Sequence, residues 1–167
     1  SPVVVVCGPG SNGGDGFVTR LVATEFEAIY AVSHPGRARL HQFGIFGGSN
    51  GRTFTGNTNG YTKQTCEPRH AGNSGGHSIW IQLGSRSHRS FVRMNTAGSS
   101  FDTLLAVYRG NSLCGGLTRV VANDDCRGIG SSCVAFTAQR NVSYRIAVDG
   151  YAGASGQFNL RFTRQNI

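Results

Sequence analysis

"VSYRIAVDG", residues Val142 to Gly150, decides the fold class. Val142, Tyr144, Ile146 and Val148 alternate with Ser143, Arg145 and Ala147. A period of two puts the first set on the buried face of a strand and the second on the opposite face. The pattern recurs on both sides of this stretch. "FNLRFTR" turns Phe158, Leu160 and Phe162 inward, "CVAFTAQ" alternates through Val134 and Phe136, and "FVRMNT" puts Val92 and Met94 opposite Arg93 and Asn95. "SIWIQL", "TLLAVYRG" and "RVVAN" read as short buried strands. Turn signals such as "AGS", "RGN", "NDD" and "AGASG" separate the runs at the spacing of a sandwich. The expected fold is all-β, an antiparallel β-sandwich, with no helical stripe beyond about residue 33.

Composition agrees. The chain has 167 residues, enough for one well-buried domain with an appended segment. Its 25 glycines favour turns and short strands over long helices. Lysine and arginine number 16 against 8 acidic residues, and Lys63 is the single lysine. Such an arginine-dominated surface could meet phosphates, an acidic polysaccharide or an anionic matrix, with a plain solvated basic face as the alternative. The arginines form no stripe or run, so no nucleic-acid partner is expected. Neither a membrane-spanning run nor a secretion signal is visible, and no membrane partner is expected. The five cysteines, Cys7, Cys66, Cys114, Cys126 and Cys133, contain no C-x-x-C pair. They read as one or two disulfides with a thiol left over, Cys7 being the expected odd one.

The first third differs. Val3 to Val6 make a short apolar strand, followed by the glycine loop "CGPGSNGGDGF". Phe17, Val18, Leu21, Val22, Phe26 and Ile29 then fall at helical spacing over about 16–31. A strand, glycine loop and helix start can hold an anion on backbone N–H groups, with Gly10, Gly13, Gly14 and Asp15 the loop residues concerned. The boundary is placed at residue 40, giving a strand–helix extension over 1–40 and a sandwich over 41–167. The extension is where a homodimer contact is expected.

Two stretches resemble known families. "CGPGSNGGDGFV" is similar to the phosphate-binding loop of NAD(P)HX epimerases over about residues 3–21, with Ser11 where that family has Asn. The later strands and catalytic aspartate of that family have no counterpart, so a hybrid chain carrying a vestigial loop is the reading this match implies. "EPRHAGNSGGHSIWIQL", "NTAGSSFDTLLAVYRG", "VVANDD" and "SYRIAVDGYAGASGQFNLRF" resemble the bacterial pre-peptidase C-terminal domain over about 43–165. That resemblance implies a jelly-roll-like sandwich appended to exported bacterial proteins. It also implies a secreted, non-catalytic accessory or attachment role, with calcium as the metal and an extracellular protein or polysaccharide as partner. "GSRSHRS" and the cysteine of "KQTCEP" depart from the family pattern.

Candidate site residues follow from chemistry. Asp102, Asn123, Asp124, Asp125 and Asp149 lie in or beside expected loops, and hard oxygen donors on loops suit calcium. Turn capping by the same side chains is the alternative. His70 and His77 flank "AGNSGG" and could converge with Glu67 as a metal site or an acid–base pair, which would make a small metal-assisted hydrolase. Surface-loop histidines are the alternative. Trp80 is expected in the core and Tyr151 at an exposed contact.

Overall fold

The computed structural model describes residues 51–110, 115–126 and 130–167, with the backbone of 42–45. The glycine loop, the strand and helix expected to flank it, and the dimer contact expected of the extension fall outside the described residues. The described residues form nine strands: β1 Gln42–Ile45, β2 Arg52–Asn57, β3 Ile79–Leu83, β4 Ser90–Asn95, β5 Thr103–Arg109, β6 Thr118–Asn123, β7 Cys133–Ala138, β8 Tyr144–Gly150 and β9 Gln157–Asn166. A single 3₁₀ turn at Tyr151–Gly153 is the only described helical element.

The strands form two sheets, ordered β1-β3-β8-β5-β6 and β2-β9-β4-β7. All pairings are antiparallel except that of β1 with β3, which is parallel. The two sheets bury their facing sides as the period-two pattern demands. Phe54, Val92, Met94, Val134, Phe136, Leu160 and Phe162 from the four-stranded sheet meet Ile79, Ile81, Leu105, Val107, Ile146 and Val148 from the other. Dry interdigitation of this kind is the main stabilising term of a sandwich.

Two sequence expectations are corrected. "RVVAN" is not a buried strand: β6 is exposed or half-buried along its length. It is a sheet edge, and the register slips there, with Val107 opposite Val121 and Tyr108 opposite Arg119. Val120 is the extra residue of this bulge and stays 36% exposed. Ala147, an outward position by alternation, is also fully buried. The cause is the β2–β3 connection, which folds back over the outer face of the five-stranded sheet. Trp80, Ala106, Tyr108 and Ala147 form a second, smaller apolar cluster beneath it.

The sandwich is polar along its strand direction. The β4–β5, β6–β7 and β8–β9 connections gather at one end with the β2–β3 connection. The β3–β4 and β7–β8 connections meet at the other, where the Asn141 N–H donates to the Arg86 carbonyl at 2.6 Å.

Candidate functional site

Residues Thr58 to Ser78 form the β2–β3 connection, and one carboxylate anchors it. Asp149 is fully buried and accepts from the backbone N–H groups of Gly76 at 3.0 Å, His77 at 2.9 Å and Gly150 at 2.8 Å. Lys63 Nζ adds a charged donor at 3.2 Å. Gly75 makes this approach possible: it sits at φ +61°, and a Cβ there would lie 1.8 Å from Asp149 Oδ2. Only glycine fits such a place. Asp149 is thus a structural organiser, and this occupies the oxygens that the sequence reading offered to a cation.

Beside it lies the His70–Glu67 pair. His70 is fully buried, its Nδ1 2.8 Å from the Tyr108 hydroxyl and its ring edge-on to Trp80. Its Nε2 is 3.9 Å from both Glu67 Oε2 and Asp149 Oδ2 and has no hydrogen-bond partner. Burial holds the imidazole below its ordinary value, against the opposing pull of Glu67. Glu67 Oε2 accepts from Ser78 Oγ at 2.5 Å and Trp80 Nε1 at 2.9 Å. Burial pushes the Glu67 carboxyl up, but the His70 ring, Ser78, the Gln64 backbone and Trp80 outweigh it and hold it low. Burial raises the Tyr108 hydroxyl to about 12.

His70 and Glu67 therefore lie side by side, beneath the loop rather than at its surface. His77 does not join them: its Nδ1 contacts the Tyr61 carbonyl. A shallow cavity of about 310 Å³ lies above, lined by Lys63, Gln64, Thr65, Glu67, Arg69 and Ser74. A substrate there would meet Glu67 and the cations, not His70.

The second constellation is at the end where β4–β5 and β6–β7 meet. Asp102, Asp124 and Asp125 each place a carboxylate oxygen within 4.8 Å of the others. Asp102 Oδ1 and Asp124 Oδ1 are buried without a hydrogen-bond partner. Burial and then the Asp125 charge push the Asp102 carboxyl up; burial, Asp102 and Asp125 do the same to Asp124. Asp125 Oδ1 accepts from the Gly130 N–H at 3.3 Å, and Asn123 Oδ1 from the Cys133 N–H at 2.9 Å. Asn123 thus ties the end of β6 to the start of β7.

A hydroxyl network fixes the two loops that bring these aspartates together. Thr96, Thr103 and Ser132 are all fully buried. Thr96 Oγ1 and Thr103 Oγ1 are 2.5 Å apart, and Ser132 Oγ lies 2.5 Å from the Thr103 carbonyl and 2.6 Å from that of Asp124, its one proton serving either acceptor. The Cys126–Cys133 disulfide closes the segment after Asp125, across a sequence separation of 7. Cys66 is disulfide-bonded as well. The sequence reading missed this network, since Ser and Thr in turns carry no signal of their partners.

A third feature was also missed. Arg164 occupies an inward position of β9 and is 1% exposed. Its Nε donates to Ser90 Oγ at 2.7 Å and its Nη1 to the Gly84 carbonyl at 2.9 Å, while Nη2 has no partner. Burial, then the Arg86 charge, lowers it to about 10, so it is cationic at neutral pH. Phe158, Leu160 and Phe162 continued by one step of two would have placed it.

No protein-family model and no curated protein matches the chain. Among solved structures it is similar to the periplasmic g-type lysozyme inhibitor PliG of Aeromonas hydrophila. That match has 16% identity and a TM-score of 0.50 over 77% of this chain and 100% of the inhibitor. The pre-peptidase C-terminal domain of a Bacillus anthracis collagenase matches at 8% identity and a TM-score of 0.43, over 77% of this chain and 97% of that one. The surface-associated copper-binding protein CorA of Methylomicrobium album BG8 matches at 10% identity and a TM-score of 0.48, over 78% and 100%. At these identities the likeness to the inhibitor shows a shared β-sandwich fold. Nothing in the comparisons supports the epimerase-like loop or a hybrid chain.

Proposed function

We propose that this chain is a non-catalytic accessory module of an exported protein, with calcium organising the Asp102–Asp124–Asp125 end and attachment to an extracellular polymer as its role. The observation that carries the calcium reading is the pair of buried, unpartnered carboxylate oxygens, Asp102 Oδ1 and Asp124 Oδ1, facing a third carboxylate within 4.8 Å. Like charges packed this way oppose ionisation, and a hard cation with irregular oxygen coordination relieves them. Main-chain carbonyls and water would complete the shell of six to eight oxygens. The disulfides support an oxidising compartment.

The hydrolase reading rests on the 3.9 Å approach of His70 to Glu67. It has less support, because a fully buried imidazole whose Nδ1 meets Tyr108 cannot reach a substrate without the loop lifting.

Thermal unfolding tests the calcium reading. Calcium at about fifty times its dissociation constant adds about 2.3 kcal/mol to stability through binding to the folded state alone. The chelator-stripped protein should therefore melt several degrees lower than the calcium-loaded one. In Asp124→Asn the two curves should coincide. An equal shift in the variant, or none in the wild type, overturns the site.

A further inference from the structure

The side-chain carboxylates of the described residues all lie at one end of the sandwich. The described carboxylates are Glu67, Asp102, Asp124, Asp125 and Asp149. Each belongs to one of the two constellations above, at the end served by the β2–β3, β4–β5, β6–β7 and β8–β9 connections. The opposite end carries arginines and no described side-chain carboxylate. Arg86 and Arg89 lie in the β3–β4 connection and Arg140 in the β7–β8 turn. The Asn141 N–H to Arg86 carbonyl bond ties these two connections, and the Ile167 N–H donates to the Arg89 carbonyl at 3.1 Å. Arg89 and Arg140 are exposed and Arg86 is half-buried.

Under this rim lies Arg164, with no carboxylate against it and one guanidinium nitrogen unsatisfied. A buried charge without a counterion is unfavourable unless something outside neutralises it. In a low-dielectric rim its field is also weakly screened, so it attracts an anion seated above it more strongly than a solvated arginine would.

We propose that this end of the sandwich docks an acidic polysaccharide, whose carboxylate or sulfate groups pair with Arg86, Arg89 and Arg140 above the buried Arg164. The inference rests on the attachment half of the proposed function and gives that polymer a chemistry. Arginine forks fit carboxylate and sulfate oxygens two at a time. A nucleic acid fits less well: single strands are held by exposed aromatic platforms. The exposed large hydrophobics among the described residues are Val120, Tyr151 and Ile167, and Tyr151 lies at the opposite end. The disulfide-bonded chain also belongs where glycans are the abundant polyanions.

The test is binding of dextran sulfate and polygalacturonate at about 150 mM salt, where distant surface charges are screened. Neutral dextran and poly(dT) run beside them, and calcium uptake is measured on the same samples. The triple variant Arg86→Glu, Arg89→Glu, Arg140→Glu should bind both acidic glycans at least roughly tenfold more weakly. A control with the same charge change elsewhere, Arg69→Glu, Arg93→Glu, Arg161→Glu, should lose less than roughly threefold. Arg164→Met, which keeps the volume of the side chain, should weaken binding several-fold, and its thermal unfolding reports whether it folds. Equal loss in the triple variant and the control overturns the site, as does poly(dT) binding as tightly as the glycans. Loss of glycan binding by the wild type with calcium uptake intact sinks this proposal and leaves the calcium reading standing.

Discussion

Gly75 shows how one backbone position governs a buried network. Its left-handed φ and the 1.8 Å approach of a would-be Cβ to Asp149 Oδ2 leave no room for a side chain. Gly75→Ala should therefore cost about 3 kcal/mol or more, since strain adds to a displaced anchor carboxylate. Denaturant unfolding checks this, and a loss below about 1 kcal/mol would contradict it. Tyr108 acts through a milder term. Its hydroxyl meets His70 Nδ1 at 2.8 Å, so Tyr108→Phe leaves a buried ring nitrogen unpaired and should cost about 1–2 kcal/mol. At this scale the sequence is read unevenly. Asp102, Asp124 and Asp125 were legible because carboxylates in turn motifs advertise themselves. Asp149 was legible as a loop-side acid, but its three backbone partners come from a connection 72 and 73 residues away and from its own neighbour. Nothing local marks that pairing.

Among the elements, the β2–β3 connection carries a pH dependence. Burial holds His70 below its ordinary 6.5, so the fold keeps it neutral while the unfolded chain gains a proton as pH falls through about 6.5. The unfolded state then binds more protons, and stability present above that pH drains away below it. Glu67 acts in the same direction at lower pH. Its contribution is present above 4.5 and is lost as pH falls toward its depressed folded value. Asp102 and Asp124 oppose this in calcium-free protein, because their raised values make acidification relieve repulsion. Calcium-loaded protein should therefore lose stability between pH 7 and 5.5, and His70→Gln should lose less over the same interval. Denaturation midpoints measured across it decide the matter; parallel slopes would contradict the role given to His70. The strands themselves were legible from alternation, because two faces with different solvents impose it. β6 was misjudged for a physical reason: apolar content alone does not distinguish an edge strand with a bulge from a central one. The burial of Ala147 was hidden likewise, since it depends on a connection with no periodicity of its own.

For the whole molecule, the sandwich separates its work by end. One end collects carboxylates and fixes them with buried hydroxyls and a disulfide; the other collects arginines over a buried guanidinium. Only the sum of the charges was legible beforehand, because a one-dimensional sequence does not say at which end each loop emerges; strand order does. The disulfide belongs to the carboxylate end. On the chain-entropy account a loop this short contributes roughly 2.5 kcal/mol. Replacing Cys126 and Cys133 by serine should lower stability by about that amount and weaken calcium binding, since the segment following Asp125 would no longer be held. The most direct measurement is calorimetric titration of calcium into the chelator-stripped chain. The account predicts saturable uptake at one site with a dissociation constant on the order of 10⁻⁴ M, abolished in Asp124→Asn. No uptake at millimolar calcium, or undiminished uptake in that variant, would contradict it.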